Sequence, residues 1–374
     1  MTYILNDEGD ILGFVDNYES LKWSKNLLQT GAFQMSINRN VFSANKLEKG
    51  RLILPFDFRG EVEQIFKIEQ IESVIDEDGS IGELLMLTGR DISGITEERI
   101  GLPPENEAYD ERSELAETLM KEWVAENIGE DADLERQIPN FDIAPNLGRG
   151  EVVSYAVRYQ KLATILEEIG RAGLLGWQFF YDTISNEYIF DVIEPVDRTK
   201  DSPTPVFLDI DFETIIQMNL MQSELGSKNF AYIGGEGEKE ERIIEDTFVT
   251  EDNIEPEGFD RKEMWVDAGS IEDIDNLDRA GKVELLKRKG EDILEVNLNQ
   301  FGSFQYKEDF FIGDFVTVRN KAWGVERNLQ IIGASIQLAA NQGKVIVNIQ
   351  VGNEFPTIKS QIELDRGTDA RERV

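Results

Sequence analysis

The chain is 374 residues long, 40% hydrophobic and 30% charged, the profile of a folded protein too long for one ordinary core. It contains no cysteine and no histidine, which excludes disulfides, thiolate or imidazole metal sites, thiol nucleophiles and histidine-based general-base catalysis. Its 38 basic and 74 acidic residues give a formal net charge of −36, and such a surface repels nucleic acid instead of grasping it.

The opening MTYILNDEGD has no basic segment ahead of an apolar run, so no secretory signal is expected. No stretch approaches the roughly 18 apolar residues that span a bilayer. Synthesis and folding in a cytoplasm is the corresponding expectation. The first ninety or so residues then read as short β-strands: ILGFVD, ESLKWSKNLL, AFQMSI, RLILPF, QIFKIEQIESVI and IGELLMLTGR. Each alternates apolar and polar residues or forms a short apolar run, and turn residues such as Gly31, Gly50 and Gly60 separate them. The turn DEDGS at 76–80 lacks the ligand spacing and closing glutamate of a calcium loop and reads as a hairpin turn.

The pattern changes near Ile92. After the breaker GLPPENE, Ser113-Glu114 is expected to open a helix carrying Leu115, Leu119 and Trp123. A second helix is expected over about 158–172, with Leu162, Ile165, Leu166 and Ile169 as its buried stripe and Gly173 as its stop. The strands LLGWQFFYD and EYIFDVIEP follow, and PVDRTKDSPTP reads as a linker. From PVFLDI onward the chain is again mainly β. One amphipathic helix over about 274–289 interrupts it, with Leu277, Val283, Leu285 and Leu286 on the apolar side and Lys287, Arg288 and Lys289 in the last turn. The final QIELDRGTDARERV is charged and poor in apolar residues.

The two β regions share a spacing. Gly50 and Gly313, Ile68 and Ile331, and Gly89 and Gly352 are each separated by 263 positions (313 − 50, 331 − 68, 352 − 89). Between these anchors both segments read strand, polar turn, strand, glycine, and FQMSI falls over VNLNQ with no gap needed. The segments Gly50–Gly89 and Gly313–Gly352 are therefore expected to be two copies of one fold. Three chains with two copies each would present six near-equivalent faces.

No segment carries a specific catalytic signature. The run Ile233-Gly234-Gly235-Glu236-Gly237-Glu238 lacks the Gly-Lys-Ser/Thr ending of a phosphate loop, and its glutamates oppose phosphate, so it reads as a turn between strands. Asp209, Asp211 and Glu213 in LDIDFE are expected to alternate along a strand and share one face, as a carboxylate pair, a weak divalent site or a solvated face. The aromatics of GWQFFYD read as core, with sugar stacking as the alternative. No catalytic residue, metal ligand or cofactor is assigned.

Five pieces in order, NYESLKWS with GAFQMSI, LTGRD, NFAYIGGEGEKEERI, GFDRKEMWVDA and FFIGDFVTVRNKAWG, make the chain resemble the tail-associated hub proteins of long-tailed siphophages. In that family the turn at Gly234, Gly235 and Gly237 is structural. The resemblance implies a homotrimeric hub related to the baseplate hubs of contractile phages, with two related β-barrel-like domains per chain forming a pseudo-six-fold ring. It further implies docking on a hexameric distal tail protein, contact with the tape measure protein and with receptor-binding or tail fibre proteins, and DNA passage through the lumen without specific binding. The location implied is the tail tip of the virion. The expectation is a mainly β (α+β) protein with a first β hub domain over 1–95, an α/β insert over 96–200, a second β hub domain with one inserted helix over 201–358, and a charged tail over 359–374. It is expected not to be an enzyme. A carbohydrate-acting enzyme using paired carboxylates and a carbohydrate-binding adhesin are the alternatives.

Overall fold

The alternation of the first ninety residues is realised as seven strands: β1 (Thr2–Leu5), β2 (Ile11–Val15), β3 (Tyr18–Asn26), β4 (Ala32–Asn38), β5 (Leu52–Pro55), β6 (Phe66–Ile75) and β7 (Ile81–Asp91). The computed structural model describes residues 1–352 apart from 7, 57–63, 76–80, 212, 238, 251–252, 270–273, 289–290, 300–301 and 340–343. The DEDGS turn and the charged tail at 359–374 thus lie outside the described residues. The short apolar run TYIL was not anticipated as β1. It pairs antiparallel with both β2 and β5, so tertiary pairing makes a strand of four residues whose local signal is weak.

The middle of the chain supplies β8 (Asp110–Leu115), α1 (Ala116–Ile128), β9 (Phe141–Ile143), β10 (Val152–Val157), α2 (Leu162–Gly173), β11 (Gly176–Asp182) and β12 (Glu187–Ile193). Ser113-Glu114 is in β8, not at a helix start, because that segment pairs residue for residue with β10. In α2 the expected stripe is fully buried. The helix includes Gly173, and Leu174 in the left-handed region ends it at φ 59°. These elements enclose their own core around Trp123, Leu166, Trp177 and Phe190.

The last part contains β13 (Asp197–Arg198), β14 (Phe207–Asp209), β15 (Ile215–Ser223), β16 (Phe230–Gly234), β17 (Ile244–Phe248), β18 (Glu263–Asp267), α3 (Ile274–Lys287), β19 (Glu291–Leu298), β20 (Phe315–Asn320), β21 (Val325–Ala339) and β22 (Lys344–Gly352). Two expectations change here. Within the expected linker, β13 pairs with β20, and Arg198 Nε lies 2.7 Å from the buried Asp314 carboxylate. The inserted helix is also not alone: β16, β17 and β18 form a separate three-stranded sheet, and with α3 they enclose a small core around Ile233, Val266, Leu277 and Leu285. The side chains of Val283 and Leu286 lie outside the described set.

Everything else joins one 14-stranded sheet, whose main path runs β15-β19-β22-β21-β3-β4-β7-β6-β5-β1-β2. The expected barrels are not closed among the described residues, because the path has two ends. One apolar core, drawn from both halves of the chain, lies against this sheet.

The internal repeat is visible in the hydrogen bonds. Gly50 N donates to Ile68 O at 2.8 Å, and Gly313 N donates to Ile331 O at 2.8 Å. Ile68 N returns to Arg51 O, and Ile331 N to Asp314 O, both at 2.9 Å. Both turn glycines have positive φ, 89° and 97°. The pairs Leu52 with Lys67 and Phe315 with Gln330 keep the offset (315 − 52 = 330 − 67 = 263). A bulge leaves Glu69 unpaired in β6 and Ile332 unpaired in β21, again 263 apart.

The register is not gap-free, contrary to the expectation from the sequence. Ile68 pairs with Gly89 and Ile331 with Val351, so Gly89 corresponds to Val351, one position short of Gly352. Phe33 pairs with Gly89 and Leu294 with Val351, which sets β4 on β19 at 261 (294 − 33). Upstream, Tyr18 pairs with Ile37 and Ile215 with Leu298, setting β3 on β15 at 197 (215 − 18), and bulges at Glu19 and Ile216 coincide. The step from 197 to 261 is the 64 residues that carry the small β16–β18/α3 unit. That unit is an insertion in the turn between the second copies of β3 and β4.

An alanine at Gly50 meets open space and only the cost of its φ, so Gly50→Ala is expected to lower stability by about 1–2 kcal/mol. At Gly89 a Cβ would sit 1.9 Å from Lys67 O, and Gly89→Ala is expected to cost about 3 kcal/mol or more. Urea unfolding of the two variants checks both the values and their order.

Candidate assembly interface

The two copies of the sheet meet where β21 pairs antiparallel with β3, from Gly333 opposite Asn26 to Leu338 opposite Leu21. Ile336 lies opposite Trp23, and both are buried. The bulge at Ile332 divides β21 into two functional parts. Residues up to Gln330 pair with β20 of their own copy, and residues from Gly333 onward pair with β3 of the other. Its counterpart β6 pairs with β5 before the same bulge. Beyond it, from Gln70 to Ile75, β6 has no strand on its outer edge among the described residues. The second unpaired edge belongs to β15, the counterpart of β3, which ends the path of the sheet.

The segment LTGRD stabilises the first copy next to this junction. Gly89 lets β7 approach β6 closely. Arg90 grips Glu69, the bulge residue, through Nε at 2.9 Å and Nη2 at 2.6 Å, and reaches Glu98 at 2.7 Å. Asp91 is buried and accepts from Gly31 N at 3.1 Å, Gln64 Nε2 at 2.8 Å, Ser93 N at 3.0 Å and the Ser93 hydroxyl. It thereby ties the β3–β4 turn to the end of β7. Desolvation by burial outweighs these four bonds and pushes its pKa up to about 6.

The acidic group singled out in the sequence is not a shared strand face. Only Asp209 lies in β14; the chain then turns, with Glu213 N bonded to Ile210 O and Glu213 at φ 56°. Asp209 is buried and pairs with Arg319 at 2.5 Å, and Asp211 pairs with Lys321 at 2.8 Å. Each aspartate therefore has its own cation, and the turn separates what alternation would have aligned. The glycine run is the turn after β16. Arg242 donates to Gly234 O at 2.9 Å and to Gly235 O at 3.1 Å, and lies over the Trp265 ring. A guanidinium held by backbone carbonyls is the reverse of an amide cradle for phosphate. Trp177, Phe179 and Tyr181 are buried, with Phe179 edge-on to Phe190, so these aromatics of GWQFFYD are core.

Two features were not found from the sequence. Glu117, on α1 and fully buried, is bonded by Arg149 and Lys121, each at 2.8 Å. Asp191 on β12 closes the group, 2.9 Å from Arg149 and 3.0 Å from Lys121. Burial alone would raise the Glu117 pKa, but the bonds from Arg149 and Lys121 outweigh it and hold the carboxyl well below the usual carboxylate range. The four residues span positions 117–191, so only the Glu117–Lys121 spacing could have suggested a pair. The second feature is a crevice of about 640 Å³ between β1, β5 and the β11–β12 hairpin, lined in part by Tyr3, Phe56, Phe180, Tyr181 and Asp182. Asp182, the acid among its described lining residues, accepts from Ile184 N and Ser185 Oγ.

The sequence profile of the Siphovirus ReqiPepy6 Gp37-like proteins matches residues 1–353. The chain belongs to that family. The likeness to siphophage tail proteins read from the sequence therefore holds. No curated protein matches this Gp37-like chain by sequence. Among solved structures it is similar to a tail protein from Neisseria meningitidis MC58 (TM-score 0.54, 11% identity, covering 97% of this chain and 98% of that one). It is also similar to the 43 kDa tail protein of prophage MuSo2 from Shewanella oneidensis (TM-score 0.56, 11% identity, 94% and 98%). The mainly β fold of this Gp37-like protein is thus a phage tail protein fold. No helix of the described residues is long and apolar enough to cross a membrane.

Two outcomes follow for the Gp37-like chain. Asp91 has a folded pKa above its unfolded 3.8, so its contribution is full below that value and is lost as pH rises towards 6. The stability of the wild type relative to Asp91→Asn is expected to fall by up to about 3 kcal/mol between pH 4 and 7, measured by urea unfolding at each pH. Glu117→Gln leaves the buried Lys121 and the partly buried Arg149 with one carboxylate, and is expected to cost about 3–5 kcal/mol; thermal unfolding checks it.

Proposed function

We propose that this chain is a non-enzymatic hub subunit of a siphophage tail tip, three copies of which close a ring of six related sheet units. The observation that supports this best is the duplicated sheet, with equivalent glycine turns and equivalent bulges in both copies. A threefold ring of such chains offers sixfold-related contacts. It would dock on a hexameric distal tail protein, close the tail tube beside the tape measure protein, and carry receptor-binding or fibre proteins on its outer side. The charge of −36 supports a lumen along which DNA moves without being held. The location is the virion, at the end of the tail.

The test has two parts. Light scattering is expected to give the mass of three 42.6 kDa chains, alone or after addition of the distal tail protein, and labelled particles are expected to show the chain at the tail tip in electron micrographs. A chain that stays single in both conditions, or a label found elsewhere on the particle, overturns the reading. The competing reading, a carbohydrate-acting enzyme, requires turnover of polysaccharide that one Asp or Glu substitution abolishes.

A further inference from the structure

Within one chain the second copy binds the first through a single rule: the half of β21 beyond its bulge pairs with β3. Among the described residues, the same rule read from the first copy has no partner. There the half of β6 beyond its bulge is open, and β15, the counterpart of β3, is open at the other end of the sheet.

We propose that these two edges pair between chains, β6 of one copy against β15 of the next, in the register dictated by the internal contact. That register is fully specified. Gly333, Ser335 and Ile336 of β21 pair with Asn26, Ser24 and Trp23 of β3. Subtracting 263 from the first set gives Gln70, Glu72 and Ser73. Adding 197 to the second gives Ser223, Met221 and Leu220. Gln70 therefore lies opposite Ser223, Glu72 opposite Met221, and Ser73 opposite Leu220, with the β6 residue and its β15 partner on neighbouring chains.

The composition of the edges is a separate observation. In a chain that is 30% charged, the nine residues of β15, IIQMNLMQS, include no charge and no proline. Ile216 at its bulge is 67% exposed. Isolated edge strands are normally blunted by lysine, proline or a covering element. The opposite end of the sheet has such a cover: the 3-10 turn Ala44–Lys46 lies against β2, and Lys46 Nζ bonds Leu12 O. The uncharged edge of β15 is suited to a strand of a second copy, the β-augmentation mode of recognition. A head-to-tail contact of this kind generates a ring if the rotation closes. The inference rests on the ring reading for its closure at three, but not for its register.

The absence of cysteine makes the test direct. Glu72→Cys/Met221→Cys, and independently Gln70→Cys/Ser223→Cys, are oxidised and run on a denaturing gel, with Glu72→Cys/Gln217→Cys as an off-register control. Light scattering is read on the same samples. The expected result for both in-register pairs is a three-chain band that reduction returns to single chains, with the control at the single-chain position. Trimers in solution without a cross-link overturn the edge pairing and leave the ring standing. Cross-linked ladders that run past three chains uphold the pairing and overturn the threefold ring. Single chains without a cross-link, both in a concentrated sample and after addition of the distal tail protein, overturn both; efficient cross-linking of the control overturns the stated register.

Discussion

The pairing of β3 with β21 is the contact on which the rest of the architecture depends. Each copy of the sheet contributes apolar residues to one shared core, and neither copy is complete at the edge where the other joins it. Without that pairing, Trp23 and Ile336 would face water, and the shared core would split into two pieces. Apolar burial at about 25 cal/mol per Å² dominates folding energetics, so joining the copies into one core contributes more than the backbone bonds of the junction. The bulge in β21 makes the junction possible, because it lets one strand serve its own copy and then its neighbour.

The two inserts carry their own cores and leave the sheet continuous. The first contains the α1–α2 layer and the Glu117–Arg149–Lys121–Asp191 group; the second contains α3 on three strands. The second enters between β15 and β19, which remain neighbours in the sheet, and the first lies between β7, the last strand of the first copy, and β13, the first strand of the second. This is the behaviour expected of additions at surface turns, where few contacts of the parent fold are disturbed. The tail-protein fold is therefore a duplicated sheet with two small attachments.

Much of this was legible in the sequence. Alternation located most strands, α2 kept its expected buried stripe, and Leu277 and Leu285 of α3 are buried as expected, because periodicity reports directly on which face is dry. The 263-residue spacing of the glycines reported a true duplication because positive φ at Gly50 and Gly313 requires that residue type in both copies. The parts that misled were those decided by distant partners. The strand character of Ser113 comes from β10, that of Asp197 from β20, and the turn at Asp211 from the geometry beyond β14. Asp209 and Asp211 looked like a pair in one dimension; Arg319 and Lys321, more than a hundred positions away, divide them in three. The edge strand β15 has no local mark except a lack of charge, which acquires meaning only once the neighbours in the sheet are known.

The junction also has a consequence for how the chain is made. β3 is finished by Asn26, but its partner starts at Gly333, 307 residues later (333 − 26). At about 5–20 residues per second on the ribosome, that edge waits roughly 15–60 s for its match. During this interval the nascent first half exposes an unsatisfied ladder beside others on the same message. Speed of translation, and holding factors that shield strand edges, thus become part of the yield of this protein in a way that the finished sheet conceals.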